Sequence, residues 1–293
     1  MESLWQRFEP SGWEDYELID SGDGEKLERF GEVTVIRPEV TAIWPKRLLS
    51  RDWKKLADAR FVQDGPRSGR WEKFKPLPSA WKVQYPMPGG KITFNLKFTR
   101  FKHLGVFPEQ AANWTFIQDQ IRQQQGPVKV LNLFAYTGGA SLAARAAGAE
   151  VTHVDSIRQV VDWTRENMES SGLDGIRWVV EDALRFVERE AKRGNKYHGV
   201  IMDPPSWGIA PGKKQKKWKL EDQLCELLQK TSLLLEDSFF LVLNTYSGLP
   251  NSTLETLITT WFRPEIIATG DLILRSEQDQ LFTTGSCLRC WKN

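Results

Sequence analysis

Four stretches end an apolar run on groups that can hydrogen-bond a nucleoside: LNLFAYTGG at 131–139, HVD at 153–155, VVED at 179–182 and VIMDPPSWG at 200–208. Gly138 and Gly139 let the backbone approach a ligand and aim helix N-terminal amides at it, although a tight turn alone would use the same residues. Asp155 can accept from both hydroxyls of a ribose, and Glu181 or Asp182 from an adenine amino group. Each acid could equally cap the helix that follows it, Asp182 lying directly before ALRFV. In Asp203-Pro204-Pro205-Ser206-Trp207 the prolines fix the backbone, the carboxylate can take an N–H, and Trp207 can stack on a planar ring. Suitable groups at four successive run ends are far rarer by chance than at any one. Together they predict a nucleoside-containing cofactor lying across them.

Other chemistries find less support. T-G-G-A-S-L does not supply the G-x-G-x-x-G of nicotinamide enzymes, and no G-x-x-x-x-G-K-[ST] cradle for a triphosphate occurs. His103, His153 and His198 show no metal-ligand spacing and no Ser-His-Asp arrangement, and His153 reads as a core residue. Cys287 and Cys290, three apart in a strand pattern, face opposite ways and make neither a metal site nor a redox pair. Cys225 falls mid-helix and reads as buried packing. No metal is expected.

The elements that must hold these groups are legible in outline. From about residue 14 to 100, short extended runs such as YELID, EVTVIRP, TAIWP, GRWEKF, WKVQYP and KITFNLKF are broken by Gly, Pro and Asp. They predict a β-rich N-terminal domain over 1–100. Many of the thirteen tryptophans fall in this part and read as packing. A helical stretch, EQAANWTFIQDQIRQQQ, stops at Gly126-Pro127; beyond it apolar strands alternate with amphipathic helices. That alternation predicts a second domain over 101–293, an α/β unit with a mostly parallel, doubly wound sheet. The last two strands, joined by SEQDQ, predict an antiparallel edge hairpin. In such a sheet ligands collect at the carboxyl ends of the strands, where the four stretches fall.

With these motifs the chain resembles the class I S-adenosylmethionine-dependent methyltransferases. LNLFAYTGG and D-P-P-x-[FW] are more narrowly similar to the bacterial group that methylates 23S ribosomal RNA of the large subunit, from HLGVFPEQ at 103 to TYSGL near 248. The resemblance implies a Rossmann-like methyltransferase fold with S-adenosyl-L-methionine as cofactor. It implies that Phe134, Ala135, Tyr136, Thr137, Gly138 and Gly139 wrap the methionine part, that Asp155 with Ser156 holds the ribose, and that Asp182 meets the adenine. Asp203, Pro204, Pro205 and Trp207 would serve the methyl group and its acceptor. Phe107 and Gln110, in VFPEQ, match a segment that closes over the cofactor. Asn132 stands where the broader class has an acid.

Methyl transfer from a sulfonium is an in-line displacement in which the protein positions the acceptor and stabilises changing charge. Methylation of cytosine C5 needs a thiolate that first adds to the ring. Relatives that perform it carry a cysteine in the segment equivalent to LNTYSGL, where this sequence has Tyr246. The expected acceptor is therefore a nitrogen of an RNA base, in ribosomal RNA. Lys213, Lys214, Lys216 and Lys217 would contact phosphates, with an ordinary solvated lysine face as the alternative. A small-molecule or protein acceptor, or a non-catalytic binding module of the same fold, are the competing readings. Hydrophobic content of 40%, charged content of 27% and a net charge of +2 are ordinary for a soluble protein. No apolar run reaches the roughly 18 residues of a membrane span, and the N-terminus shows no signal segment, so the expected location is cytoplasmic. Oligomeric state is not readable from the sequence.

Overall fold

A computed structural model describes residues 2–65, 68–209 and 217–293. The chain begins with strands β1 (Glu2–Phe8), β2 (Tyr16–Gly22), β3 (Glu25–Phe30) and β4 (Val33–Pro38), followed by helix α1 (Ser50–Leu56). Strands β5 (Ala59–Gly65), β6 (Ser68–Lys73), β7 (Ala80–Met87) and β8 (Gly90–Lys97) come next, then α2 (Ala111–Gln123). The alternating part runs β9 (Lys129–Leu133), α3 (Gly139–Ala146), β10 (Glu150–Asp155), α4 (Arg158–Ser170), β11 (Ile176–Val180), α5 (Ala183–Arg193) and β12 (Tyr197–Met202). A small hairpin, β13 (Trp207–Ile209) with β14 (Lys217–Lys219), precedes α6 (Leu220–Ser232), β15 (Leu235–Thr245), α7 (Asn251–Trp261), β16 (Ile266–Arg275) and β17 (Leu281–Lys292).

Two units form. The first comprises Met1–Phe8, Gln110–Leu272 and Thr284–Asn293. Its eight-stranded sheet has the order β1-β16-β17-β15-β12-β9-β10-β11. Pairing is parallel from β15 through β12, β9 and β10 to β11, while β17 runs antiparallel to β15. This is the mostly parallel, Rossmann-like arrangement expected. One strand was not: β1 pairs in parallel outside the terminal hairpin, Glu2 opposite Ile266, so the edge beyond β16 is made by the start of the chain.

Composition explains the layering. KVLNL, YHGVIM and FFLVLNT are almost unbroken apolar runs because the central strands are covered on both faces. Gly199 sits opposite Phe240, and a Cβ there would clash with the phenyl Cζ. On one face Leu131, Leu133, Val200 and Leu241 pack against Phe186 of α5, Leu227 of α6 and Ile258 of α7. Helix α5 is delimited by its own sequence: Asp182 accepts the Arg185 N–H at 3.1 Å as N-cap, and Gly194 ends it at φ +71°.

The second unit comprises Glu9–Glu109 with Ile273–Thr283. It carries a five-stranded sheet, β2-β3-β4-β5-β6, and the β7–β8 hairpin. The extended runs read from the sequence form these strands, except TAIWP, which is irregular, and α1 interrupts them. Inside this unit Glu28 is fully buried and accepts Arg37 Nε and Nη2 at 2.7 Å each and the Tyr16 hydroxyl at 3.0 Å. Burial alone would push the Glu28 carboxyl up, but the Arg37 and Lys26 charges and these hydrogen bonds outweigh it and hold it down at about 2.

Candidate functional site

The first three parallel strands in the chain, β9, β10 and β11, run outward to one side, and the chain then returns to lay β12 on the other side of β9. The crevice over β9 and β12 is the place where strand order reverses and where open α/β sheets bind ligands. A cleft of about 450 Å³, its solvent mouth included, opens there. It is lined by residues that follow all four strands: Phe134, Asp155, Ser156, Glu181, Asp182 and Pro205, with Val154, Ala183, Gly208 and Trp218.

The turn from β9 into α3 is held in an unusual backbone. Phe134 (φ 55°), Tyr136 (φ 48°) and Gly138 (φ 88°) all lie in the left-handed region, which costs a non-glycine residue on the order of 1–2 kcal/mol. Neighbours over-determine it. The Ala135 N–H donates to Val154 O (3.1 Å) and the Tyr136 N–H to Asp155 Oδ2 (3.0 Å). From α4, Thr164 Oγ1 donates to Tyr136 O (2.8 Å) and Asn167 Nδ2 to Thr137 O (2.9 Å). Thr164 and Asn167 are three apart and so share one face of that helix. Behind the turn Gly139 packs so closely on Trp114 of α2 that a Cβ would meet the indole at 2.5 Å. The amides that open α3 lack partners within their own helix and give this turn a positive edge.

Asp155 ends β10. Besides Tyr136, its carboxylate accepts the Ile157 N–H at 2.9 Å. Burial pushes its pKa up, and the backbone donors of Ile157, Tyr136 and Ser156 only partly offset that. Asp182 both caps α5 and lines the cleft. Glu181 is ion-paired to Arg189. Asp203 follows β12 and is half-buried; Pro204 is buried and Pro205 exposed. Trp207 is 38% exposed and opens β13, opposite Lys219, outside the cleft lining.

Sequence reasoning missed Trp218. It sits among lysines, yet its indole is buried, meets Phe134 at 5.0 Å between ring centroids, and donates to Pro205 O at 2.6 Å. It thereby ties the β13–β14 hairpin to the Pro-Pro turn and walls the cleft. Lys217 is exposed on β14; Lys213, Lys214 and Lys216 lie outside the described residues.

Gln110 is buried in an amide network beside the end of β15. Its Nε2 donates to the Tyr246 hydroxyl at 2.9 Å, and its Oε1 accepts Asn113 Nδ2 at 2.9 Å and Asn244 Nδ2 at 3.2 Å. Phe107 belongs to the second unit, where its ring meets His103 at 5.1 Å. Asn132 is buried and donates to Ser141 Oγ at 2.9 Å, which also contacts His153 Nδ1. Burial holds that imidazole neutral, with a pKa of about 3.

The cysteines divide. Cys287 and Cys290 are buried in β17, and burial pushes both thiols up, Cys287 to about 11. Cys225, expected as packing, lies instead on the exposed face of α6, whose Leu224 and Leu227 turn to the core. No group of three or more potential metal ligands occurs among the described residues.

This geometry can hold an adenosine-like ligand: an aromatic and aliphatic wall, a buried carboxylate for a diol, further acids at the third strand end, and a helix N-terminus. The model of the S-adenosylmethionine-dependent methyltransferase family matches residues 59–237. The chain belongs to that family. A crystal structure of an S-adenosylmethionine-dependent methyltransferase from Agrobacterium tumefaciens is 37% identical, with a TM-score of 0.89, covering 100% of this chain and 94% of that one. Ribosomal RNA large subunit methyltransferase K/L of Shewanella frigidimarina is 28% identical over 46% of this chain and 18% of its own length. Ribosomal RNA large subunit methyltransferase I of Klebsiella pneumoniae is 35% identical over 27% of this chain and 20% of its own. The chain thus spans about a fifth of the length of these curated relatives. The methyltransferase uses S-adenosylmethionine as its cofactor, and the non-catalytic reading is set aside. No helix among the described residues is long and apolar enough to cross a membrane.

Proposed function

We propose that this methyltransferase modifies a nitrogen of a base in ribosomal RNA. The observation that carries the reading is the Asp203-Pro204-Pro205 turn, whose Pro205 lines the cleft, beside strand β15, which is followed by Tyr246 and not by a cysteine. The names of the relatives support RNA as the acceptor class. Against C5 chemistry, Cys287 is buried and its thiol stays protonated at neutral pH, while Cys225 lies on the exposed face of helix α6.

In this reading Asp155 and Ser156 bind the ribose, Asp182 the adenine edge, and the amides and carbonyls of Phe134 to Gly139 the methionine part. Trp218 and Phe134 wall the cleft. When bound, S-adenosylmethionine supplies an electrophilic methyl carbon on a positively charged sulfur. Asp203 accepts the N–H of the acceptor and stabilises the positive charge that its nitrogen gains, the proton then leaving to solvent. Pro204 and Pro205 hold that carboxylate and the adjoining carbonyls rigid. Trp207 stacks on the base, and Lys217, with Lys213, Lys214 and Lys216, meets phosphates. Gln110 acts from the β15 side by fixing Tyr246.

Total RNA from a strain lacking the protein, incubated with enzyme and methyl-labelled S-adenosylmethionine, tests the proposal. The label should be released by ribonuclease and appear in an N-methylated nucleoside by mass spectrometry. Label in 5-methylcytosine would overturn the nitrogen assignment, and label in protein or in a small molecule the RNA assignment.

A further inference from the structure

Two hexapeptides of the second unit have the same texture. Arg70–Lys75, RWEKFK, closes β6, and Lys97–Lys102, KFTRFK, leaves β8. Together they carry six cations against one acid, Glu72. The fold lays them side by side: the Gly69 N–H donates to Arg100 O at 3.2 Å and Trp71 Nε1 to Phe101 O at 3.3 Å. Their rings form a row, Trp71 to Phe98 at 5.1 Å and Phe98 to Trp81 at 5.0 Å, with Lys73 Nζ 4.5 Å from the Phe98 centroid.

Ordinary core packing accounts for the half-buried members of this row. It does not account for Phe74 and Phe101, each 51% exposed. Strand β6 is the last in its sheet, and none of its residues is fully buried. Among the cations Lys102 turns inward to Pro38 O, Arg70 is paired with Asp64 and Glu72, and Lys75 with Asp58 at 2.6 Å. The Arg70 pairs are exposed on both sides, and such pairs are weak and yield readily to a phosphate, whereas Lys75 serves the buried Asp58 and is not one of the proposed contacts. Lys73 and Arg100 are exposed beside the two phenylalanines.

We infer that this face of the second unit is a docking surface for single-stranded RNA, in which Phe74 and Phe101 stack on bases and Lys73 and Arg100 contact phosphates. The inference rests on the RNA reading above. An acidic protein would engage the cations and leave the phenyl faces unused, and a duplex hides its bases. A single strand offers a π-face and a phosphate at every nucleotide, which is the alternation these segments present.

The test uses the full chain, a short fluorescein-labelled single-stranded RNA and its duplex, with anisotropy read across a KCl titration. Phe74→Ala/Phe101→Ala should weaken single-strand binding at least about fivefold and leave the salt slope unchanged. Lys73→Glu/Arg100→Glu should weaken it more at low salt and lower the slope by about 1.4, at roughly 0.7 per lost phosphate contact. Calorimetric affinity for S-adenosylmethionine should stay at the wild-type value in both, and the charge variant keeps the question open to test if the apolar one fails to fold. If wild-type enzyme methylates RNA while both variants bind the strand as wild type does, or if the duplex binds as tightly, the surface is refuted and the RNA reading stands. If wild-type enzyme binds no RNA and labels another acceptor, both fall.

Discussion

Replacing Gly138 by alanine tests how the cofactor turn is held. At φ +88° an alanine pays on the order of 1–2 kcal/mol for its Cβ in the left-handed region. The new Cβ would also approach the Thr164 Cγ2 methyl closer than the 3.0 Å that real Cβ atoms essentially never breach. Thr164 cannot simply step aside, because its hydroxyl holds Tyr136 O at 2.8 Å, a bond worth about 1 kcal/mol. Strain that the free enzyme relaxes by moving the turn must be restored when S-adenosylmethionine seats. Gly138→Ala should therefore lose about 2–3 kcal/mol of cofactor affinity, roughly 30- to 150-fold. Adding Thr164→Ser removes the methyl and keeps the hydroxyl, so the double variant should recover about tenfold and retain the backbone part of the loss. Isothermal calorimetry measures both. Wild-type affinity in Gly138→Ala, or no recovery on adding Thr164→Ser, would refute this account of the turn.

Asp155→Asn should weaken S-adenosylmethionine binding about tenfold or more by removing a charged acceptor, read by the same calorimetry. Native protein treated with iodoacetamide should be labelled at Cys225, with Cys287 and Cys290 reacting only after urea, as peptide mass spectrometry would show. Cys287→Ala should keep methyl transfer within a few-fold, whereas loss of the reaction would restore a thiolate mechanism. Glu28→Ala should destabilise the fold by about 3–5 kcal/mol in urea, because Arg37 is left buried and unpaired. The depressed carboxyl of Glu28 contributes stability that is present above its unfolded pKa near 4.5 and is lost as pH falls toward about 2. The acid limb of the urea midpoint against pH should therefore shift in a Glu28→Gln variant.

Much of the site was legible because a parallel strand writes itself as an apolar run, and the polar residue ending that run must lie at the sheet edge where ligands bind. Asp155 and Asp182 were read that way, Pro205 from the motif that follows the fourth run and Phe134 from the family resemblance, and the four line one cleft. Trp218 was not, since an aromatic inside PGKKQKKWKL has no periodicity to reveal that a three-residue strand turns it inward. Strand β1 escaped for a different reason: MESLWQRF alternates weakly, and its partner β16 lies at the far end of the chain, so only tertiary pairing makes it a strand. Cys225 was misread because a mid-helix position does not by itself fix the face: one residue past Leu224 the helix has turned by about 100°, which takes Cys225 out of the buried stripe.

The proposed ribose role of Asp155 makes a prediction about protons. Three backbone N–H groups, of Tyr136, Ile157 and Ser156, already favour its charged form, and burial still outweighs them and raises its pKa. A carboxylate has about four acceptor positions, so at least one remains for a guest. A ribose diol would return the hydrogen bonding that burial removed and draw the pKa back toward its ordinary value. The sign follows: cofactor binding expels a proton from Asp155, so affinity strengthens as pH rises from the ordinary carboxylate range through the raised value of the free enzyme, and levels off above it. Protein stability from the same group runs the other way, because the free fold binds that proton more tightly than the unfolded chain does. Opposite pH trends for stability and for cofactor affinity over one window, both abolished in Asp155→Asn, are expected of a desolvated carboxylate that receives a diol; a buried carboxylate that met no ligand would give the stability trend alone.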